Sequence, residues 1–310
     1  MHSKMNILTA VLMLGAAALP AHAQGWKDDY AIVKFGVLSN ENEKDRLMRY
    51  EPLRAYLEGS LGVKVEIFSA GNYDGVVQAI AADQIEIARL GSSSYAAAYT
   101  ATNGGVVPTL VDLSKDGSTG YNSIVVARCD SGIKSLADAK GKVHAFADPD
   151  STSGYAVPYF NFITKLNIKP EQYFAAIPFA GSHEAGVAGV ANGTFSTAST
   201  SQRTDTNGTY QDMVQKGMIE KGVICPIWKS PEITNGPWTF RTNLPKDMIE
   251  DITVALEKLP EAEPETFKLY VSFDADDPNP VVGFTRVDAE RYQWIVDMRD
   301  WLKKRRRNSN

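Results

Sequence analysis

The segment AIVKFGVLS (31–39) combines apolar and β-branched residues over the length of one strand. This composition predicts a buried first strand. The next segment, DRLMRYEPLRAYLEGSLG (45–62), repeats leucine and tyrosine at helical spacing and ends in glycine. We therefore expect a strand followed by a helix that packs on it.

The alternation continues along the chain. VKVEIFSA (63–70) and IEIARLG (85–91) have the composition of strands, and YDGVVQAIAADQ (73–84) and SSSYAAAYTAT (92–102) that of helices. This β-α-β-α-β-α order predicts a parallel sheet with helices on both faces.

The strand and helix pattern restarts after YNSIVVAR (121–128). The last helical segments of the chain are expected to return and pack on the first set of strands and helices. We predict an α/β protein of two lobes joined by two hinge crossings. The first lobe comprises residues 24–126 and 229–310, and the second comprises residues 127–228. Such hinged proteins bind ligands in the cleft, outside the carboxyl ends of the strands.

The N-terminus predicts export. A short basic head with Lys4 precedes an apolar run (7–19), which ends at Ala21-His22-Ala23, the small-x-small pattern of a signal-peptidase site. The run is shorter than the roughly 20 residues that a membrane-spanning helix needs. We expect a signal peptide over residues 1–23, removed near Ala23, and a periplasmic protein.

Composition excludes several classes of function. The formal net charge of −5 argues against a nucleic-acid partner. Two cysteines, Cys129 and Cys225, are too few for a disulfide scaffold, so a hydrophobic core must carry the fold. There is no HExxH motif and no paired histidine, so we expect neither a metal site nor a cofactor.

Two stretches share one design, in which consecutive hydroxyls follow a strand and open a helix. They are LGSSSYAAAY (90–99), with Ser93, and DPDSTSGYAV (148–157), with Ser151, Thr152 and Ser153, here named the hydroxyl turn. A helix N-terminus offers free N–H donors, and hydroxyls add more. One such turn is usually a simple cap. Two such turns that face each other, one in each lobe, predict an oxyanion that neutral donors of both lobes bind, without a cluster of Lys or Arg side chains.

Other candidate ligand-binding residues accompany these turns. Tyr73, Tyr95 and Tyr121 can donate to an anion or wall a pocket, although half-buried packing is the common role of a single tyrosine. His183 lies at a strand-to-helix turn and is a candidate for the cleft, whereas we expect His144 to be a core residue.

An exported serine hydrolase is the enzyme alternative. Ser153, His183 and an aspartate could form a triad, but the chain has no G-x-S-x-G elbow. We therefore expect a protein that is not an enzyme.

Several motifs together resemble one family: YEPLRAYLEGSLGVKVEIFSAGNYDGVVQAI, TGYNSIVVAR, DPDSTSGYAVP, GSHEAGVAGVANG and IWKSPEITNGP. The chain resembles the PhnD-type phosphonate-binding periplasmic proteins of ABC importers, which have the type II periplasmic-binding-protein fold. The resemblance implies capture of a phosphonate, phosphite or phosphate by hinge closure, delivery to an inner-membrane permease, and a monomer. A sensor subunit that signals to a membrane histidine kinase is the alternative.

The resemblance also implies roles for residues. The hydroxyl turn would bind the phosphorus oxyanion with Tyr121 as a further donor, and Tyr73 and His183 would line the same cleft. Two acidic residues hold the amino group of 2-aminoethylphosphonate in the family, and here Arg203 and Gly236 stand at those positions. This departure favours a smaller or more anionic ligand that pairs with Arg203. Glu184 or Asp205 remain alternative partners of an amine.

Finally, the resemblance implies that the two crossing strands run side by side. Cys129 ends the outgoing crossing and Cys225 begins the return. We predict that they are close enough to form a disulfide across the hinge base, on the side of the second lobe.

Overall fold

The computed structural model describes residues 25–272 and 274–309, which form two α/β lobes. The predicted signal peptide, residues 1–23, lies outside the described residues. The strands are β1 (Ile32–Val37), β2 (Lys64–Ser69), β3 (Ile87–Arg89), β4 (Val106–Ser114), β5 (Gly120–Arg128), β6 (His144–Ala145), β7 (Thr197–Gln202), β8 (Ile224–Lys229), β9 (Ile233–Thr234), β10 (Trp238–Arg241) and β11 (Val281–Arg286). The helices are α1 (Glu43–Leu61), α2 (Tyr73–Ala81), α3 (Ser92–Ala101), α4 (Val157–Thr164), α5 (Pro170–Tyr173), α6 (His183–Ala191), α7 (Thr209–Gln215), α8 (Lys246–Ala262), α9 (Pro264–Tyr270) and α10 (Gln293–Ser309).

The first lobe contains a six-stranded sheet in the order β11-β4-β10-β3-β1-β2. Strand β1 lies between β2 and β3, and it is parallel to both, as the alternating pattern predicted for these strands. Its side chains Val33, Phe35 and Val37 are buried. The returning strand β10 inserts antiparallel between β3 and β4, which is why this lobe needs two separate segments of chain.

The second lobe contains the sheet β6-β7-β5-β8, in which β5 is antiparallel to both neighbours. Because β5 already pairs with β7 over residues 122–127, the first crossing ends before Asn122. The predicted lobe boundary between residues 126 and 127 therefore lies inside a strand of the second lobe, several residues too late. The second crossing runs between β8 and β10.

The last helices differ in what they cover. Helix α8 packs on the first sheet through Met248, Ile252 and Leu256, as expected. Helix α10 packs on α3 and also reaches the second lobe, where the ring of Trp301 lies edge-on to Phe160 with centroids 5.1 Å apart. The C-terminal helix thus contacts both lobes.

Cys129 and Cys225 form a disulfide, with their Cα atoms 5.0 Å apart, which confirms the predicted proximity. Its place differs from the prediction. The bond joins the ends of β5 and β8 that point away from the crossings, because Ala127 pairs with Cys225 and Ser123 bonds to Ser230. Cys129 follows Asn122 by seven positions along extended chain, or about 20 Å. The disulfide therefore closes the second lobe and does not clamp the hinge.

Candidate ligand-binding cleft

A cleft of about 270 Å³ lies between the lobes, at the carboxyl ends of β1, β3 and β7. The structure brings most of the predicted binding residues together in its walls: Tyr73, Tyr121, Ser151, Thr152, Ser153, His183 and Arg203. This placement follows from the topology, since ligands of open α/β sheets bind at the strand ends where the chain changes direction.

The hydroxyl turn is rigid and buried. Each of its three residues is at most 2% exposed. Ser151 caps the π-helical turn Thr152–Ala156, because its Oγ accepts the N–H of Gly154 at 3.0 Å. A Cβ at residue 154 would lie 2.4 Å from the Cβ of Ala147, so only glycine fits there. The turn therefore holds its hydroxyls in fixed positions at the cleft wall.

His183 supports the hydroxyl turn as a neutral group. Its Nε2 lies 2.9 Å from Ser151 Oγ, and its Nδ1 lies 3.1 Å from Thr200 Oγ1. Burial lowers the pKa of His183 to about 4, so the imidazole is uncharged at neutral pH. It can orient the serine hydroxyl, but it adds no positive charge to the cleft.

Two tyrosines complete this wall. Tyr73 is the first residue of α2, and Tyr121 is the second residue of strand β5. Burial raises the pKa of both phenols, for Tyr121 against the opposing effect of hydrogen bonds to Ser153 and Thr152. Both phenols stay protonated and can therefore donate to an anion.

Ser93 and Tyr95 do not line the cleft, which corrects their predicted role. Ser93 Oγ accepts a hydrogen bond from Arg299, and the neighbouring Ser94 Oγ donates to the carbonyl of Asp150. Tyr95 is fully buried, with its ring 4.8 Å from that of Tyr292. The first turn of α3 therefore does not grip an anion from the opposite side.

That turn contacts the hydroxyl turn instead. The backbone N–H of Ser93 donates to Thr152 Oγ1 at 2.8 Å. A hydroxyl that accepts this bond still has its own proton to donate. Thr152 is thus held by the first lobe while its proton is available to a ligand.

Besides Arg203, which was predicted to pair with the ligand, three further basic residues line the cleft: Arg49, Arg89 and Lys216. Arg89 forms a part-buried ion pair with Asp112 at 2.8 Å and donates to Tyr270 Oη at 2.8 Å. The sequence held one signal for this cation, since Arg89 is the last residue of a short strand whose end faces the cleft. Its charge is balanced by Asp112 before any ligand arrives.

Arg203 differs from the other three cations. Its Nη2 donates to Asn207 Oδ1 at 2.7 Å, and its Nε is buried without a hydrogen-bond partner. Within the part of the chain that the structure describes, no carboxylate forms an ion pair with Arg203. The cleft therefore presents one positive charge that a ligand can neutralise.

Gly236 has no room for a side chain. A Cβ there would lie 2.0 Å from the carbonyl oxygen of Leu90. Of the two alternative acids, Glu184 lines the cleft, but its carboxylate accepts both the N–H and the side-chain amide of Asn42, at 2.7 and 2.9 Å. Asp205 is exposed and lies outside the cleft wall. Neither replaces the missing carboxylates with a free group.

Six charged residues join the lobes at the edge of the cleft, here named the mouth cluster: Glu41, Asp45, Arg49, Glu184, Asp212 and Lys216. Lys216 of the second lobe lies 2.8 Å from Glu41 and 2.9 Å from Asp45 of the first. Arg49 pairs with Glu41 at 2.9 Å. These contacts across the cleft mean that the structure is a closed form.

The described residues contain neither a metal cluster nor a membrane-spanning helix. Among residues 25–272 and 274–309, no group of three or more His, Cys, Asp or Glu side chains is arranged to hold a metal ion. No helix in those ranges combines the length and the apolar character needed to cross a bilayer.

Comparisons with known proteins agree with this geometry. Residues 35–292 match the family of phosphonate periplasmic substrate-binding proteins of ABC transporters. The phosphonates-binding periplasmic protein of Escherichia coli K12 is 33% identical over 262 residues, covering 82% of this chain and 73% of that protein. The phosphate-import protein PhnD of Mycolicibacterium smegmatis is 31% identical over 233 residues, covering 71% and 69%.

A solved structure is also similar. It is a binding protein component of an ABC phosphonate transporter from Pseudomonas aeruginosa, with a TM-score of 0.74, 26% identity, and coverage of 86% of this chain and 85% of that one. The match to the family model spans most of the chain, both lobes and the cleft included. The chain therefore belongs to the phosphonate-binding periplasmic substrate-binding proteins of ABC transporters.

Proposed function

We propose that this protein captures a small phosphorus oxyanion (a phosphonate, phosphite or phosphate) in its cleft and presents the closed form to the permease of an ABC importer. The observation that carries this proposal is the hydroxyl turn, whose buried donors face the same cleft as Tyr73 and Tyr121. Tetrahedral oxyanions need several converging donors, and neutral donors supply them without a large desolvation cost. The names of the two relatives, one for phosphonates and one for phosphate, support the ligand class.

Each residue has a distinct role in this proposal. Ser151, Thr152 and Ser153 donate to the phosphorus oxygens, with Tyr73 and Tyr121 as further donors. His183 orients Ser151, and Arg203 neutralises the negative charge of the bound ligand. Ser93 and Tyr95 are no longer part of the proposed site.

The ligand that we expect is small or carries no amino group. An ammonium group near Arg203 would meet a like charge, and Gly236 offers it no carboxylate. A buried ammonium without a partner costs several kcal/mol. Phosphite, methylphosphonate and phosphate are therefore favoured over 2-aminoethylphosphonate.

The structure contains one serine–histidine contact of the kind that a hydrolase needs, but not the carboxylate that would complete a catalytic triad. Ser151, and not Ser153, meets His183, but the other imidazole nitrogen faces Thr200 and no carboxylate. An imidazole with a pKa of about 4 is a weak general base at neutral pH. The pair is better suited to holding a hydroxyl than to activating it.

Location and partners follow from this role. We propose that the signal peptide is removed near Ala23, that the mature protein works as a monomer in the periplasm, and that nucleic acid is not a partner. The sensor alternative uses the same closure, and genes for a permease or for a kinase beside this one would separate the two.

Calorimetric titration of the mature protein tests the ligand class. We expect tight binding of at least one of phosphite, methylphosphonate and phosphate, and weaker binding of 2-aminoethylphosphonate. Preference for 2-aminoethylphosphonate would show that the amine has a partner in the cleft and would overturn the role given to Arg203. No heat from any of the four would contradict the proposed ligand class.

A further inference from the structure

Arg299 on the C-terminal helix links the two lobes directly behind the hydroxyl turn. Its Nη1 donates to Ser93 Oγ at 2.8 Å, on α3 of the first lobe. Its Nη2 donates to Asp150 Oδ1 at 2.6 Å, in the second lobe. Asp150 immediately precedes Ser151, so this guanidinium lies one residue from the proposed oxyanion site.

The link is partly shielded from solvent. The side chains of Arg299 and Asp150 are 25% and 13% exposed. A planar guanidinium can meet two acceptors at once in a fixed geometry, which a flexible ammonium does less well. The contact is therefore more than a mobile surface ion pair, whose contribution is usually small.

Two further hydrogen bonds cross between the lobes at the same place. Ser94 Oγ donates to the carbonyl of Asp150 at 3.0 Å, and the Ser93 N–H donates to Thr152 Oγ1 at 2.8 Å. Arg299 contacts one residue from each of these two bonds. Its position therefore fixes α3 and the hydroxyl turn relative to each other.

We propose that Arg299 is a positioning residue for oxyanion binding, which couples closure of the lobes to the orientation of Thr152. When the lobes close, Arg299 aligns α3 with Asp150, and the Ser93 N–H then occupies one lone pair of Thr152 Oγ1. The hydroxyl proton of Thr152 is left to point into the cleft. Arg299 itself does not line the cleft and touches no ligand.

The first test compares affinities. It rests on the proposed function, and it uses whichever of phosphite, methylphosphonate and phosphate the parent binds best. Arg299→Gln should weaken binding at least tenfold, mainly through faster dissociation, and Arg299→Lys should restore part of the loss. The matched control is Lys303→Gln, which removes a positive charge from an exposed position one turn further along α10 and should stay within twofold of the parent.

A double-mutant cycle sharpens this test. Asp150→Asn should also weaken binding, and adding Arg299→Gln to it should cost less than twofold more, because the two residues act through one contact. Equal affinity of the parent and Arg299→Gln, or an equal loss in the Lys303→Gln control, would overturn the proposal.

The second test needs no ligand. Hydrogen exchange of the Ser93 amide reports directly on its bond to Thr152. We expect this amide to be protected in the parent and in Lys303→Gln. In Arg299→Gln it should exchange at least tenfold faster than the loss of global stability, measured by denaturant unfolding, accounts for. An unprotected Ser93 amide in the parent, or equal exchange in Arg299→Gln, would refute the coupling. A parent protein that binds no oxyanion would instead refute the proposed function. The exchange experiment would still decide whether Arg299 maintains the hydrogen bond between Ser93 and Thr152.

Discussion

At the scale of single residues, the hydroxyl of Thr152 takes part in two hydrogen bonds, and its removal is therefore a direct test of the proposed site. It accepts the Ser93 N–H at 2.8 Å and, in our account, donates to the oxyanion. Thr152→Ala removes both interactions, and hydrogen bonds to charged groups contribute about 1.5–3 kcal/mol each. We expect affinity for the best oxyanion to fall roughly tenfold to a hundredfold, as measured by calorimetry.

Thr152→Ser is the matched control, because it keeps the hydroxyl and loses only a methyl group. We expect it to bind within a few-fold of the parent. If the Ala variant binds as tightly as the Ser variant, the hydroxyl of Thr152 does not contact the ligand.

His144 gives a prediction about pH. Its ring is fully buried between Thr197 Oγ1 at 2.9 Å and Ser199 Oγ at 3.0 Å, and burial lowers its pKa from 6.5 to about 3. Below pH 6.5, His144 therefore binds a proton in the unfolded chain but stays neutral in the folded protein. The contribution of His144 to the free energy of unfolding is fully present above pH 6.5. It is lost as the pH falls towards 3, by up to about 1.4 kcal/mol per pH unit.

The measurement is the free energy of unfolding between pH 6.5 and pH 5, for the parent and for His144→Gln. The variant should be less stable overall, but its stability should depend less steeply on pH. Parallel curves for the two proteins would mean that His144 does not titrate in this way.

The residues of the site were predictable to different degrees. The hydroxyl turn and His183 could be placed at the cleft, because short polar runs between strand and helix have few roles. Tyr121 lies in strand β5, and only the family resemblance indicated it as a further donor. The role of Ser93 could not be predicted. The same sequence allows a serine in the first turn of a helix to hydrogen-bond to its own lobe, to the other lobe or to a ligand. Arg89 was missed because a single arginine in sequence does not reveal whether it is buried beside a carboxylate.

At the scale of the element, hydrophobic periodicity predicted the β1 to α3 units, whose cores are local. It could not place the exact crossing, because β5 runs without interruption from the hinge into the second sheet. Nor could it place the disulfide along the β5–β8 pair, since register depends on partners far away in sequence.

The disulfide gives the prediction at this scale. It closes a loop of 96 residues around the second lobe. Paired replacement by Cys129→Ser and Cys225→Ser should lower the free energy of unfolding by about 2–4 kcal/mol, mostly by releasing the unfolded chain. The dissociation constant for the oxyanion should stay within twofold, because the bond lies about 20 Å from the crossings.

Denaturant titration and calorimetry check these two expectations together. A large loss of affinity with little loss of stability would mean that the disulfide acts on the hinge after all.

At the scale of the whole molecule, two separate sets of contacts join the lobes in the closed form. The mouth cluster joins the lobes at one edge, where Lys216 meets Glu41 and Asp45. Arg299 and α3 join them behind the hydroxyl turn. Because Tyr73 belongs to the first lobe and the hydroxyl turn to the second, both sets of donors face one ligand only when the lobes are closed.

The most direct measurement is a crystal structure of the mature protein with its tightest-binding phosphorus oxyanion, located by the anomalous or difference density of phosphorus. We expect the phosphorus oxygens within about 2.5–3.2 Å of donors on Ser151, Thr152 and Ser153, with both lobes closed around them. An anion bound at the mouth cluster, or in a cleft that stays open, would contradict our account of how this protein holds its ligand.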